Sequence, residues 1–158
     1  MVLPTTVSDR HIPLAAIRDA ASAVYGAAVR TPLVRVELPT GPELYLKLEV
    51  LQPIGSFKIR GAYNVIRQLS REELKDGVWT VSAGNAAQGV AYAARKAGAS
   101  CSVMVMDTAP QTKVDAIERL GATIVRTTYD EAWKTVERHA SDISAYEKTR
   151  AEWLPTVK

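Results

Sequence analysis

The sequence has little of what disulfide scaffolds, metal clusters and aromatic cages need. Its 158 residues include one cysteine, two histidines and one phenylalanine. A lone Cys101 cannot close an internal disulfide, so a reducing, cytoplasmic setting is expected. His11 and His139 are far apart and lack metal-ligand spacing, so no metal site is expected. No apolar run approaches the ~18 residues of a membrane span. Residues Met1 to Arg10 are polar, with no apolar centre or small-residue cleavage site, so no secretory signal is expected. Blocks of like charge are also missing. The 20 basic and 17 acidic residues give a net charge of +3. They are interspersed, as in Arg71-Glu72-Glu73 and Glu118-Arg119. A nucleic-acid binder needs a clustered basic patch, so no nucleic-acid partner is expected.

What remains is an ordinary globular composition, 47% hydrophobic and 23% charged, which excludes a disordered tail or a coiled-coil rod. The length suits one domain. Leu14, Ile17, Ala21 and Val24 recur at helical spacing, which predicts a helix over Pro13 to Tyr25 with proline in its first turn. Leu33 to Leu38 and Glu43 to Glu49 read as strands joined through Pro39-Thr40-Gly41-Pro42 as a hairpin. Ala62, Val65, Ile66 and Leu69 share a helical face, predicting a helix from near Ser56 to before Asp76-Gly77. Strands and helices then alternate. Val78 to Val81, Cys101 to Met106 and Thr123 to Thr127 are the strands. Asn85 to Ala97 and Thr112 to Leu120 are helices stopped by Gly98 and Gly121, and Asp130 is expected to cap another through about His139. This alternation implies a parallel sheet and an α/β fold. Trp79 and Cys101 are expected in the core, and Trp133 and Trp153 as partial anchors. Ser141 to Lys158 has no clear period.

Two segments carry chemistry. The first runs from Glu49 through Gln52-Pro53-Ile54-Gly55-Ser56-Phe57-Lys58-Ile59-Arg60-Gly61 to Ala62. Lys58 stands at a helix start, where the helix dipole favours anions over cations. A lysine held there has its charged form disfavoured and becomes a better amine nucleophile for a Schiff base. The plain alternative is an exposed first-turn lysine tolerated at small cost. The second segment, Ser82-Ala83-Gly84-Asn85-Ala86-Ala87-Gln88-Gly89, lies between a parallel strand and the next helix. Ligands bind outside the carboxyl ends of such strands. Small residues admit a ligand to the backbone, and a helix N-terminus offers free N–H groups to an anion. The plain alternative is a strand-to-helix turn capped by Asn85. Neither a G-x-G-x-x-G fingerprint nor a Walker loop is present.

Together these segments resemble the fold-type II pyridoxal-phosphate enzymes, with the threonine/serine dehydratases and serine racemases as the nearest subgroup. The resemblance runs from Thr31-Pro32-Leu33 to Ala140. It includes Lys47-Leu48-Glu49, the Ser56 to Ala62 motif, the Ser82 to Asn85 loop, Ala109-Pro110 with Lys113, and Leu120-Gly121-Ala122. It implies a three-layer parallel sheet with flanking helices, tryptophan synthase beta-like and incomplete here. By that resemblance Lys58 would carry pyridoxal 5'-phosphate and act as base on the substrate α-proton. Phe57 would pack beside the cofactor and Asn85 would hydrogen-bond its ring hydroxyl. Ser82, Ala83, Gly84 and Asn85 would cradle the carboxylate of a small amino-acid substrate. The implied reaction is β-elimination of water from L-threonine or L-serine, giving a 2-oxo acid and ammonia.

Three departures qualify the resemblance. Serine racemases carry a serine where this chain has Ala83, which ranks dehydration above racemisation. The histidine usual after the loop asparagine is Ala86. Family members are about twice as long, and the glycine-rich loop that binds the cofactor phosphate is not found in this sequence. Residues 1–55 are therefore read as part of a larger cofactor domain, 56–140 as a small α/β domain and 141–158 as a divergent tail. The readings left open are an enzyme acting as a homodimer or with a complementing second chain, and a truncated, non-catalytic remnant.

Overall fold

A computed structural model describes residues 12–138. His11, His139, Trp153 and the segment Ser141 to Lys158 lie outside them. The chain opens with α1 (Leu14–Val24), with Pro13 as its N-cap residue, followed by β1 (Leu33–Val36) and β2 (Leu44–Lys47). These strands pair antiparallel, Leu33 opposite Lys47 and Val36 opposite Leu44, as the predicted hairpin. A 3₁₀ turn over Glu49–Leu51 leads through a tight loop into α2 (Lys58–Ile66).

The long helix expected to reach Asp76 is in fact two. After α2 the chain breaks, and a separate turn, α3 (Arg71–Leu74), begins at Ser70. Ser70 Oγ accepts from the Glu73 N–H at 3.2 Å, and Glu73 Oε2 accepts from the Ser70 N–H at 2.8 Å. This reciprocal capping box starts a new helix wherever it occurs, and outweighs the run of helix-forming residues around it.

From there the predicted alternation holds. The strands β3 (Val78–Val81), β4 (Cys101–Met106) and β5 (Thr123–Thr127) form a parallel sheet in the order β3-β4-β5. They are separated by α4 (Asn85–Ala97) and α5 (Gln111–Glu118), which flank the sheet. Residues 129–138 are helical. Thr128, not Asp130, caps that helix. Its Oγ1 accepts from the Glu131 N–H, while Glu131 Oε2 accepts from the Thr128 N–H, both at 3.3 Å. Asp130 falls inside the first turn, where its charge suits the dipole without capping.

Two apolar clusters hold these elements. The larger joins the alanine face of α4 (Ala87, Ala91, Ala94) to Cys101, Val103 and Val105 of β4 and to Val114 and Ile117 of α5. The alternation along β4 turns every second side chain inward. Cys101 is buried as expected, and burial raises the pKa of its thiol. The smaller cluster joins Val24 and Ala28 to Ile54 and Ile59, with Tyr63 bridging both. Ile59, the neighbour of Lys58, is fully buried. Burying a side chain of that size is worth about 2 kcal/mol, so Ile59 anchors the helix that presents the lysine.

Trp79 departs from expectation. It is 43% exposed on β3, which among the described residues is an edge strand paired only with β4. Val78 packs on the core, and Trp79 next along the pleat points away from it. Trp133 is 54% exposed; it stacks on Tyr129 and donates to Glu137.

Candidate active site

The structure brings the lysine segment and the loop segment to one side of the small sheet through the contact of α2 with α4. Gly89, buried one turn into α4, is a point of close approach between them. A Cβ built there would lie 3.0 Å from the carbonyl oxygen of Lys58 and 3.3 Å from the Cβ of Ala62. Glycine thus lets the first turn of α2 lie directly on α4.

Lys58 is the first residue of α2, as predicted, and its side chain is exposed. Ser56, itself buried, accepts the Lys58 backbone N–H on its Oγ at 3.2 Å. The Lys58 ammonium lies 5.0 Å from the centre of the Phe57 ring. Among the described residues no carboxylate or carbonyl pairs with the Lys58 Nζ. Phe57 and Lys58 line a cavity of about 660 Å³ together with Gly61, Ala62, Trp79 and Ala86. This wall is mostly apolar, and it includes the tryptophan expected in the core.

The loop leaves β3 directly, since the Ser82 N–H still bonds to the Met104 carbonyl at 3.1 Å. Ser82 Oγ accepts from the Gly84 N–H at 3.1 Å, leaving the hydroxyl proton free to donate. Ala83 turns its methyl onto the main core, so only its backbone faces outward. Gly84, not Asn85, is the N-cap residue, and no side chain caps this helix. Asn85 is instead the first helical residue, with an exposed side chain. Among the described residues the first backbone N–H groups of α4 have no acceptor, as at an uncapped N-terminus. A Cβ at Gly84 would meet only Ser82 Oγ, at 3.9 Å, so the space over this turn is open. Ser82 to Asn85 lie beside the cavity rather than in its wall, which reaches Ala86.

One polar cluster has no counterpart in the sequence reading. Glu49 takes Arg60 in a two-pronged ion pair, Nη2 to Oε1 at 2.7 Å and Nε to Oε2 at 2.9 Å. Thr31 Oγ1 donates to the same carboxylate at 2.5 Å, and Gln52 Nε2 at 3.3 Å. Buried Gln52 also pairs with the backbone of Val29, both bonds at 2.9 Å. Glu49, Gln52 and Arg60 all stand in the lysine segment, but they follow no helical or strand period, so the pattern alone did not link them. The hydrogen bonds from Arg60, against the cost of burial, hold the Glu49 carboxyl at a pKa of about 2, below its ordinary 4.5.

That depression sets a pH window. A carboxylate with a lowered folded-state pKa stabilises the fold above its unfolded pKa, and the contribution is lost as pH falls through the folded value. Glu49→Gln is expected to lower stability near neutral pH by about 1–3 kcal/mol. In urea unfolding, the gap between the two proteins should narrow as pH falls from about 5 to about 2. A gap constant over that window would refute this assignment.

A family model described as "Pyridoxal-phosphate dependent enzyme" matches residues 24–153. "Threonine dehydratase 2 biosynthetic, chloroplastic" of Solanum lycopersicum is 42% identical over 138 residues, covering 85% of this chain. This chain spans only 22% of that relative's length. Among solved structures, the processed form of threonine deaminase isoform 2 from Solanum lycopersicum superposes with a TM-score of 0.70 at 37% identity, over 82% of this chain and 40% of that one. Serine racemase from Dictyostelium discoideum superposes with a TM-score of 0.70 at 35% identity, over 82% of this chain and 45% of that one.

Proposed function

The chain belongs to the pyridoxal-phosphate dependent enzyme family, and from that membership we propose that it supplies the lysine-bearing part of a threonine/serine ammonia-lyase. The reaction removes the α-proton and the β-hydroxyl of L-threonine or L-serine as water. Hydrolysis of the resulting enamine then yields a 2-oxo acid and ammonia. The observation that carries this reading is the Lys58 amine, without a hydrogen-bond or ion-pair partner among the described residues, at the first turn of α2, which packs through Gly89 on α4 with its uncapped N-terminus.

The residues present suit the cofactor. Among the described residues the Lys58 amine has no hydrogen-bond or ion-pair partner, the space over Gly84 is open, and Phe57 offers an apolar wall. Lys58 would hold pyridoxal phosphate, with Phe57 against its ring and the Asn85 amide toward its hydroxyl. When bound, the cofactor supplies an electron sink for charge developing at the substrate α-carbon. Lys58 Nζ then takes the α-proton as general base. The N–H groups at the start of α4 and the Ser82 hydroxyl bind and orient the substrate carboxylate, where dipole and donors favour an anion. The Ala83 methyl packs on the core and carries no proton, which favours elimination over a two-sided racemisation.

A second reading concerns what covers the hairpin. Leu33, Val34, Leu44, Tyr45 and Leu46 are all exposed on the two-stranded ribbon. Such ribbons are marginal without a packed face. This favours a complementing polypeptide over a truncated, non-catalytic remnant. The reading also takes a cytosolic setting, in keeping with a single buried cysteine and with the absence, among the described residues, of any helix long and apolar enough to cross a membrane.

The test is turnover of L-threonine and L-serine with added pyridoxal phosphate, followed by 2-oxo acid release. The chain is assayed alone and co-expressed with a polypeptide covering the remaining length of a relative. Product from the pair but not the single chain supports both readings, and product from the chain alone removes the need for a partner. No 2-oxo acid in either arm, at any cofactor concentration, would overturn the proposed activity.

A further inference from the structure

The cluster around Glu49 spans the loop that delivers the lysine. Glu49 stands before the Gln52 to Phe57 loop and Arg60 after it, so their ion pair closes the loop at its base. Gly55 gives the loop its sharp turn, at φ +66°. Gln52 fixes the near end of the loop to the Val29 backbone through both of its amide atoms. Arg60 Nη2 reaches the same Val29 carbonyl at 3.3 Å, and the guanidinium lies 5.6 Å from the centre of the Tyr25 ring. Every oxygen of the Glu49 carboxylate is therefore engaged, and the cluster ties together the segment after α1, the loop and the first turn of α2. Within that closed loop only Phe57 and Lys58 turn exposed, chemistry-bearing side chains toward the cavity.

We propose that Glu49, Gln52 and Arg60 form a positioning clamp that sets where the Lys58 amine stands. Arg60 borders the cavity, but its guanidinium is taken up by Glu49 and the Val29 carbonyl, so the clamp works through the lysine rather than on a ligand. It acts by fixing the backbone of the first turn of α2, from which the amine projects on four rotatable bonds. Arginine suits this role because its planar fork holds both carboxylate oxygens in one orientation, whereas a lysine would offer a point charge free to swing. A reactive group must be held within about 0.5 Å of its working position, so a loosened base would misplace the amine without unfolding the protein. This inference rests on the reading of Lys58 as the cofactor lysine.

The test is selective labelling. The protein is incubated with limiting pyridoxal phosphate. Each lysine amine that condenses with the aldehyde releases one water, and borohydride reduces the C=N bond formed. Peptide mapping then gives the share of label at Lys58 against Lys47, Lys75, Lys96, Lys113, Lys134, Lys148 and Lys158. Arg60→Lys keeps the charge but loses the fork, and Glu49→Gln keeps the shape but loses the charge. Both are assayed well below their measured unfolding temperatures. In each variant the share at Lys58 is expected to fall at least fivefold, with the label among the other lysines unchanged in its proportions. Amide hydrogen exchange over residues 57–62 should quicken in parallel. If either folded variant labels Lys58 as selectively as the parent, the clamp is merely structural and the inference fails. If the parent itself shows no preference for Lys58, the cofactor reading fails and the inference falls with it.

Discussion

Replacing Lys58 by alanine is expected to abolish covalent attachment of pyridoxal phosphate. The parent protein with added cofactor should develop an absorption band that borohydride removes, with the mass increment located on the peptide containing Lys58. Lys58→Ala should show neither the band nor the increment on that peptide. The fold should survive, because the side chain is exposed and, among the described residues, has no hydrogen-bond partner. Surface changes of this kind usually alter stability by no more than about 0.5 kcal/mol. Lys58→Arg, which keeps the charge at the helix start, should fail equally, since a guanidinium stays protonated and is no nucleophile. A variant that retains a borohydride-sensitive band of equal strength would show that another amine holds the cofactor.

The second large effect is expected at Gly89, where the two site-bearing helices meet. Gly89→Ala brings opposing changes. Alanine in a helix interior gains up to about 1 kcal/mol over glycine. Its Cβ, however, would press on the Lys58 carbonyl at 3.0 Å, and backbone does not yield as a flexible side chain does. Gly89→Val removes the ambiguity, because a branched side chain must push α2 off α4. Overpacking of a close backbone contact is expected to cost about 3 kcal/mol in denaturant unfolding. Cofactor attachment at Lys58 should fall at least tenfold in whatever fraction stays folded. Gly89→Val with parent stability and parent labelling would mean that α2 and α4 are not held in this register.

These two positions differ in how they could be found. Lys58 is legible because its chemistry is local: a loop, a helix start and an amine lie next to one another in the chain. Gly89 stands in a segment that reads as ligand-binding, yet its role is to let a helix remote in sequence approach. Nothing in its neighbours announces that contact. The same holds for Glu49 and Arg60, eleven residues apart and on elements of different type, whose pairing depends on the loop folding back between them.

The sequence by itself determined the alternation of strands and helices, the hairpin, the strand limits at Val78–Val81, Cys101–Met106 and Thr123–Thr127, and the helix stop at Gly98. Those features rest on periodicity and on the backbone preferences of glycine and proline, which act over a few neighbouring residues. It also marked the lysine and the small-residue loop. Only the tertiary structure decided the remainder. The capping box of Ser70 and Glu73 that splits the expected long helix is the exception, being local and written in the sequence as S-x-x-E, whereas Gly84 took the cap position from Asn85. Trp79 came to line the cavity because its strand is an edge, and edge or centre is settled by which strands pair. Ile59 became fully buried because α1 and the loop close over it. Burial, approach and charge pairing between distant segments depend on how the elements pack, and hydrophobic pattern records that a side chain is apolar without recording what will cover it.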